Sequence, residues 1–329
     1  MNLRPLFAPQ RSVKALGRLA AACLVVALST ASVSAAVGTP IRMAYLQNDL
    51  HHLALWVALE NGYFTDEGVS VEVAGVFRSG PELMTAFGAG ALDAAYVGEA
   101  PATIAKVRGT AQIVVLAQAN TEGSALVGSK ALAAGTVARP TLAIPGNGSV
   151  QDFLLRKALP LLHLTPEQVD IIVVSPPEML TSLQAGQIDG FIAWEPYPSR
   201  AVAQGIGTVL SSSADIWPDH PCCVLAATTT LVKDRSQEAL ALIRAHKRAT
   251  AFIREQPDQA VAIAVKYTGM SEAVVRLALP HVTYTETPSV AGEEQYVNFL
   301  NSLGVIKVDD AGGFTRDFIA TPLRDAAAK

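Results

Sequence analysis

The sequence predicts an α/β protein built of two βα lobes that are joined by two crossing strands. Three observations carry the prediction: an internal repeat at an offset of 96 residues, a strand–loop–helix order before each copy, and a composition that fits a packed core. The chain has 329 residues, half of them hydrophobic and only 16% charged, which suits two domains of ordinary size. With 25 basic against 29 acidic side chains the net charge is −4. A protein that holds nucleic acid by its phosphates is expected to be basic, so that partner class is excluded.

The first copy of the repeat runs from Ser79-Gly80-Pro81-Glu82 through Thr85 and Ala89-Gly90-Ala91-Leu92-Asp93 to Gly98-Glu99. The second runs from Ser175-Pro176-Pro177-Glu178 through Thr181 and Ala185-Gly186-Gln187-Ile188-Asp189 to Trp194-Glu195, with eight identities in 21 ungapped positions. Each copy has one physical meaning. Ser stands in the N-cap region, Pro suits a first helical turn, and Glu favours the positive helix end. The glycine ends the helix, and a short apolar strand follows the Asp. Before the first copy, Ile41–Leu46 reads as a strand, Gln47–Asp49 as a loop, and a helix continues through Glu60 with Gly62 as its C-cap. Before the second, the strand Thr141–Ile144 leads through Pro145–Gly148 into a helix over 149–159. Such β-loop-α-β-loop-α-β halves form open, mostly parallel sheets, whose ligands bind at loops beyond the carboxyl ends of the strands.

The two ends of the chain read differently. Arg4, Arg11, Lys14 and Arg18 precede the ten-residue apolar run Leu19–Leu28, and small residues follow through Ala36. That order is a secretory signal peptide over 1–35, with an apolar run too short for a spanning helix. Without its four basic residues the chain keeps 21 basic and 29 acidic groups, net −8, and an exported, periplasmic product is expected. At the other end, 235–256 is amphipathic and helix-forming, Pro257-Asp258 starts a further helix, and Gly269 stops it. The economical solution returns this helical third to the first lobe. The expected division is therefore 36–130 for the first part of lobe I, 131–221 for lobe II, and 222–329 for the rest of lobe I.

The ordered set Ala58-Leu59-Glu60-Asn61-Gly62-Tyr63-Phe64, Glu67-Gly68-Val69, Ala89-Gly90-Ala91-Leu92-Asp93 and Ala193-Trp194-Glu195-Pro196-Tyr197 resembles periplasmic solute-binding proteins of the nitrate/sulfonate/taurine transporter type. The similarity covers 41–305 and extends to binding proteins for thiamine-pyrimidine precursors. It implies a type II periplasmic binding protein, monomeric, that delivers a small-molecule ligand to an ABC permease and its ATPase. It implies no cofactor and no enzymatic activity. An alkanesulfonate or taurine leads among the ligands; a thiamine-type pyrimidine, nitrate or bicarbonate, and a pyrimidine-synthase-like enzyme are the alternatives.

Candidate ligand groups come from the strand ends. Gly148, Ser149 and Gln151 open a helix after a glycine-rich turn, where free N–H groups and the helix dipole favour an anion, or where Ser149 is simply an N-cap. Ser79 is the matching helix start in the first lobe. Gln47 and His51 crowd the first strand-to-helix loop, and two adjacent histidines there point about 100° apart, so they rarely share a metal. Gly98-Glu99 and Trp194-Glu195 hold equivalent repeat positions, and the pseudo-twofold places them across a cleft. Cys222, beside Cys223 and near His220, reads as a ligand contact, as packing, or as a metal or redox pair. No Cys-x-x-Cys spacing supports the metal reading, and no Gly-x-Ser-x-Gly, His-Glu-x-x-His or dinucleotide fingerprint supports an enzyme.

Overall fold

The computed structural model describes residues 38–327; the expected signal peptide and its cleavage site lie outside the described residues. Eleven strands form two sheets. The first holds β1 (Ile41–Leu46), β2 (Val71–Phe77), β3 (Ala94–Gly98), β4 (Ile113–Glu122), β10 (Pro221–Thr228) and β11 (Val282–Tyr284) in the order β2-β1-β3-β10-β4-β11. The second holds β5 (Ser124–Gly128), β6 (Thr141–Ile144), β7 (Asp170–Val173), β8 (Gly190–Trp194) and β9 (Thr208–Ser212) in the order β7-β6-β8-β5-β9.

Apart from the edge strand β11, which has no counterpart, the two orders match place for place, so the sequence repeat is a repeat of topology. β1 runs parallel to β2 and β3, as β6 does to β7 and β8. β10 lies antiparallel between β3 and β4, as β5 does between β8 and β9. Each sheet thus receives its fourth strand from a chain that has just left the other sheet. The first crossing is the single residue Gly123, whose φ of 86° is a left-handed conformation that favours glycine. The second lies between Ser212 and Pro221, and β5 already belongs to the second sheet.

The repeated Asp explains how each half closes. Asp93 Oδ2 accepts the Arg42 N–H at 2.9 Å, and Asp189 Oδ2 accepts the Thr141 N–H at 2.8 Å. Both aspartates also donate their own N–H to the carbonyl of that same partner. The carboxylate thereby satisfies a backbone donor at the start of the neighbouring strand and sets the register of β3 on β1 and of β8 on β6. Gly90 and Gly186, at φ of 71° and 68°, end the helices Gly80–Gly88 and Pro176–Gln184 where the sequence expects it.

β3 and β8 are buried along their whole length, as central strands covered on both faces must be. The C-terminal third supplies part of that cover. The 20-residue helix Ser236–Glu255 packs on Leu53–Glu60, while Tyr267 of the Pro257–Thr268 helix stacks on Trp56 at 5.1 Å. Among the described residues no helix is long and apolar enough to cross a membrane.

Candidate functional site

Strand ends decide where the site lies. In each half the central strand stops and a helix begins, so backbone N–H groups point beyond the sheet. Three helices of nine residues start at this level: Gly80–Gly88 and Glu99–Val107 above the first sheet, Val150–Ala158 above the second. Ser79 caps the first by accepting the Glu82 N–H, and Ser149 caps the third by accepting the Asp152 N–H.

These starts meet at one enclosed point. Leu46, Asp49, Gly80, Gly98, Pro101, Ser149, Val150, Gln151, Trp194 and Cys223 line a cavity of about 10 Å³, room for no more than about one water. The lobes touch around it. A Cβ on Gly98 would sit 3.0 Å from Val150 Cγ2, and one on Gly146 would sit 3.3 Å from the Ser79 side chain, so both close approaches use glycine. The Trp194 Nε1–H is buried without a partner, and so is Asp49 Oδ2. Beside this point, past Pro101, opens a cavity of about 570 Å³ lined by Pro81, Met84, Ile104, Phe153 and Gly148, with Arg108 and Arg156 at its edge.

Of the residues expected from sequence, Gly98, Ser149, Gln151 and Trp194 share the enclosed point, and Ser79 adjoins it. Gln151 Nε2 donates to Ser124 Oγ at 3.0 Å, which fixes that side chain against the first crossing. Gln47 sits half-buried in the loop after β1 and donates its N–H to Phe77. Glu99 and Glu195 turn away from each other. Glu99 accepts from Gln118 Nε2 at 3.0 Å and lies against Glu293, which accepts from Thr103 Oγ1 at 2.8 Å. Glu195 instead accepts from the Ser199 hydroxyl at 2.9 Å and pairs with His281 Nδ1 at 2.6 Å, on the wall of a separate 470 Å³ cavity.

The buried acids carry less charge than their number implies. Burial pushes Glu99 up to about 7, eased by its bonds to Glu293 and Gln118. Burial and the Glu99 charge hold Glu293 far above the usual carboxylate range, which favours its protonated form. Asp49 is raised to about 7 by burial, against the pull of His51.

His51 and Cys222 do not face the enclosed point directly. His51 is fully buried, with Nε2 on the Gly123 carbonyl at 2.8 Å and Nδ1 at 3.4 Å from Cys222 Sγ and 3.6 Å from Cys223 Sγ. Burial works against its charged form, yet Asp49 and Cys222 carry it up to about 10. Burial likewise resists a thiolate at Cys222, but Cys223, His51 and His220 outweigh that and draw its pKa far down. Sequence reading missed Asp49 as a cavity wall and Glu293 as the partner of Glu99, and it chose Cys222 where Cys223 lines the cavity; Asp49, as the acid before the first helix, and the adjacent cysteines carried the signal.

An NMT1-like family model matches residues 35–266. A nitrate import ATP-binding protein of Synechococcus elongatus is 32% identical over 234 residues, 65% of this chain and 35% of that protein. The chain spans about a fifth to a third of the length of the nitrate-import relatives it matches first. The periplasmic nitrate-binding protein NrtA from Synechocystis superposes with a TM-score of 0.77 at 18% identity, covering 88% of each chain. The alkanesulfonate-binding protein SsuA from Xanthomonas axonopodis, bound to MOPS, gives 0.72 at 15% identity over 85% of this chain and 99% of its own. These structures share the two-lobed periplasmic binding protein fold. Because the family model extends over well more than half of its residues, the chain belongs to the NMT1-like family.

Proposed function

We propose that the protein is the extracytoplasmic substrate-binding component of an ABC importer, and that it takes a small organic anion such as an alkanesulfonate or taurine between its lobes. One observation carries the reading. Three helix N-termini from both sheets converge on an enclosed point where the Trp194 Nε1–H stands buried and unpaired. N-terminal N–H groups and an indole donor are suited to an oxyanion, and carboxyls held near neutrality do not repel it. The organic body has its place in the adjoining 570 Å³ cavity, whose wall of Pro81, Met84, Ile104 and Phe153 is apolar.

Each lobe alone offers half of these donors, so the anion stabilises the closed form by its difference in affinity between open and closed states. The closed protein then docks on a permease coupled to an ATPase. The small size of the enclosed point favours a second reading, a bare oxyanion such as nitrate or bicarbonate without an organic body.

A thermal-shift and calorimetry panel separates the two. Alkanesulfonates and taurine binding more tightly than nitrate and bicarbonate supports the first reading, and the reverse order supports the second. Saturation at 100 Kd adds about 2.7 kcal/mol of stability, which a melting curve resolves. If no anion in the panel binds while an aminopyrimidine does, the anion site is refuted.

A further inference from the structure

The strands that cross between the sheets bring together four side chains that no single stretch of sequence joins. Asp49 and His51 come from the loop after β1, and Cys222 and Cys223 open β10. All four are buried, and both cysteines are free thiols. We infer that Asp49, His51, Cys222 and Cys223 form a binding site for a thiophilic divalent cation, zinc(II), clasped at the junction of the two lobes.

The spacing fits the ion. Tetrahedral zinc with bonds of about 2.3 Å to sulfur, 2.05 Å to nitrogen and 2.0 Å to oxygen needs N···S edges of about 3.5 Å, an S···S edge of about 3.8 Å and an N···O edge of about 3.3 Å. The protein offers His51 Nδ1 to Cys222 Sγ at 3.4 Å, His51 Nδ1 to Cys223 Sγ at 3.6 Å and Sγ to Sγ at 4.0 Å. His51 Nδ1 to Asp49 Oδ1 is 3.3 Å. An Asp49 oxygen also lies within 4.8 Å of Cys223 Sγ. The three edges among His51 Nδ1 and the two sulfurs, and the edge from His51 Nδ1 to Asp49 Oδ1, are within about 0.2 Å of the ideal, the tolerance expected of a formed site.

The surroundings prepare the donors. A carbonyl only accepts, so the 2.8 Å contact from His51 Nε2 to Gly123 O places the proton of the neutral ring on Nε2. Once Nδ1 gives up its proton on the metal's arrival, its lone pair is aimed at both sulfurs, the orientation in which a backbone carbonyl holds a metal-binding imidazole. His52 is placed differently. Its Nδ1 accepts the Leu46 N–H at 3.1 Å, so its proton sits on Nε2, 3.7 Å from Asp49 Oδ2, and it supports the carboxylate instead of ligating. Asp49 Oδ2 itself is buried without a hydrogen bond, as expected of an oxygen that has another partner to meet.

The chemistry selects the ion class. Two thiolates with one imidazole favour zinc or monovalent copper over the hard cations. Two thiolate charges cancel a divalent ion, which a fully buried site requires, while the His51 N–H at 3.0 Å from Asp49 Oδ1 tempers the carboxylate. Binding leaves both sulfurs as thiolates and the His51 ring neutral, and the protons they give up pass to solvent. Cys223 also lines the enclosed point, so the ion has a path in from the cleft when the lobes part. Once bound, it ties the β1 loop to β10 and, through His51, to the Gly123 crossing.

The test uses the mature exported protein, reduced and stripped with a chelator, then titrated with zinc against a chromophoric chelator. One equivalent is expected, together with protection of two thiols from a thiol reagent. Cobalt(II) in place of zinc should give the near-ultraviolet thiolate charge-transfer band of a tetrahedral site. Cys222→Ser and Cys223→Ser should each lower zinc affinity by more than about a hundredfold, and Asp49→Asn by about tenfold or more. Trp194→Phe removes none of the four donors and should still take up one equivalent of zinc. Three results would overturn the site: reduced wild-type protein that takes up no zinc, a cobalt spectrum without the thiolate band, or a Cys222–Cys223 disulfide in protein recovered without oxidant. The first two are read on the wild type, so they decide the matter even if a cysteine variant fails to fold.

Discussion

Replacing Trp194 by Phe tests the anion site with little change in packing. Trp194 is 1% exposed, its ring meets Tyr197 edge-on at 6.3 Å, and its Nε1–H has no partner. Phe keeps an aromatic ring in the slot and deletes that one donor. A hydrogen bond to a charged group contributes about 1.5–3 kcal/mol, so anion affinity should fall about 10- to 150-fold. Ligand-free stability should behave otherwise. The variant loses some ring volume but also removes an unsatisfied buried donor, so the two effects oppose each other and the net change should stay within about 1.5 kcal/mol. Trp194→Ala, by contrast, should cost about 3–5 kcal/mol of stability, because it opens a cavity beneath Tyr197. Calorimetry with the best anion of the panel, beside urea unfolding without ligand, measures the two quantities separately. Affinity within twofold of wild type in the Phe variant would refute the assignment of Nε1 as an anion donor.

Three further outcomes follow from the same structure. Gly123→Ala meets both a φ of 86° and a Cβ placed 2.3 Å from His51 Nε2, so urea unfolding should show a loss of about 2–5 kcal/mol; a loss below 1 would contradict the crossing geometry. Asp93→Asn should cost about 1–3 kcal/mol and more than Asp189→Asn, since Asp93 also pairs with the Arg42 guanidinium at 2.8 Å; equal costs would show that the strand N–H contact alone matters. Glu99, pushed up to about 7, and Glu293, held well above the usual carboxylate range, keep protons in the native state that the unfolded chain releases from about pH 4.5 upward, so stability should decline as pH rises from there through 7. Glu293→Gln leaves Glu99 an amide partner and should flatten that decline between pH 5.5 and 8.5 in melting curves; an unchanged slope would mean that Glu293 is not held protonated in the native state.

Local physics was legible in the sequence because it depends on neighbours along the chain. Gly62, Gly90, Gly186 and Gly269 each take a positive φ just past a helix end, and Ser79 and Ser149 each cap the helix they precede. The 96-residue repeat likewise predicted two equivalent sheets, since the strand-opening aspartates impose matching strand registers, although Ser79 caps its helix by its side chain and the equivalent Ser175 does not. Side-chain direction at the ends of those strands was not legible. Glu99 and Glu195 are equivalent in the repeat, yet one turns to Gln118 and Glu293 and the other to Ser199 and His281, because each finds its partners on elements outside the repeat. The cysteine cluster makes the point most sharply. His51 and Cys222 stand 171 residues apart and show no metal-ligand spacing, and only the pairing of β10 between β3 and β4 brings their side chains within 3.4 Å. A pattern of apolar residues and caps fixes which segments become strands and helices. Which strands become neighbours, and so which distant polar groups share a buried point, is decided by how the two sheets exchange strands.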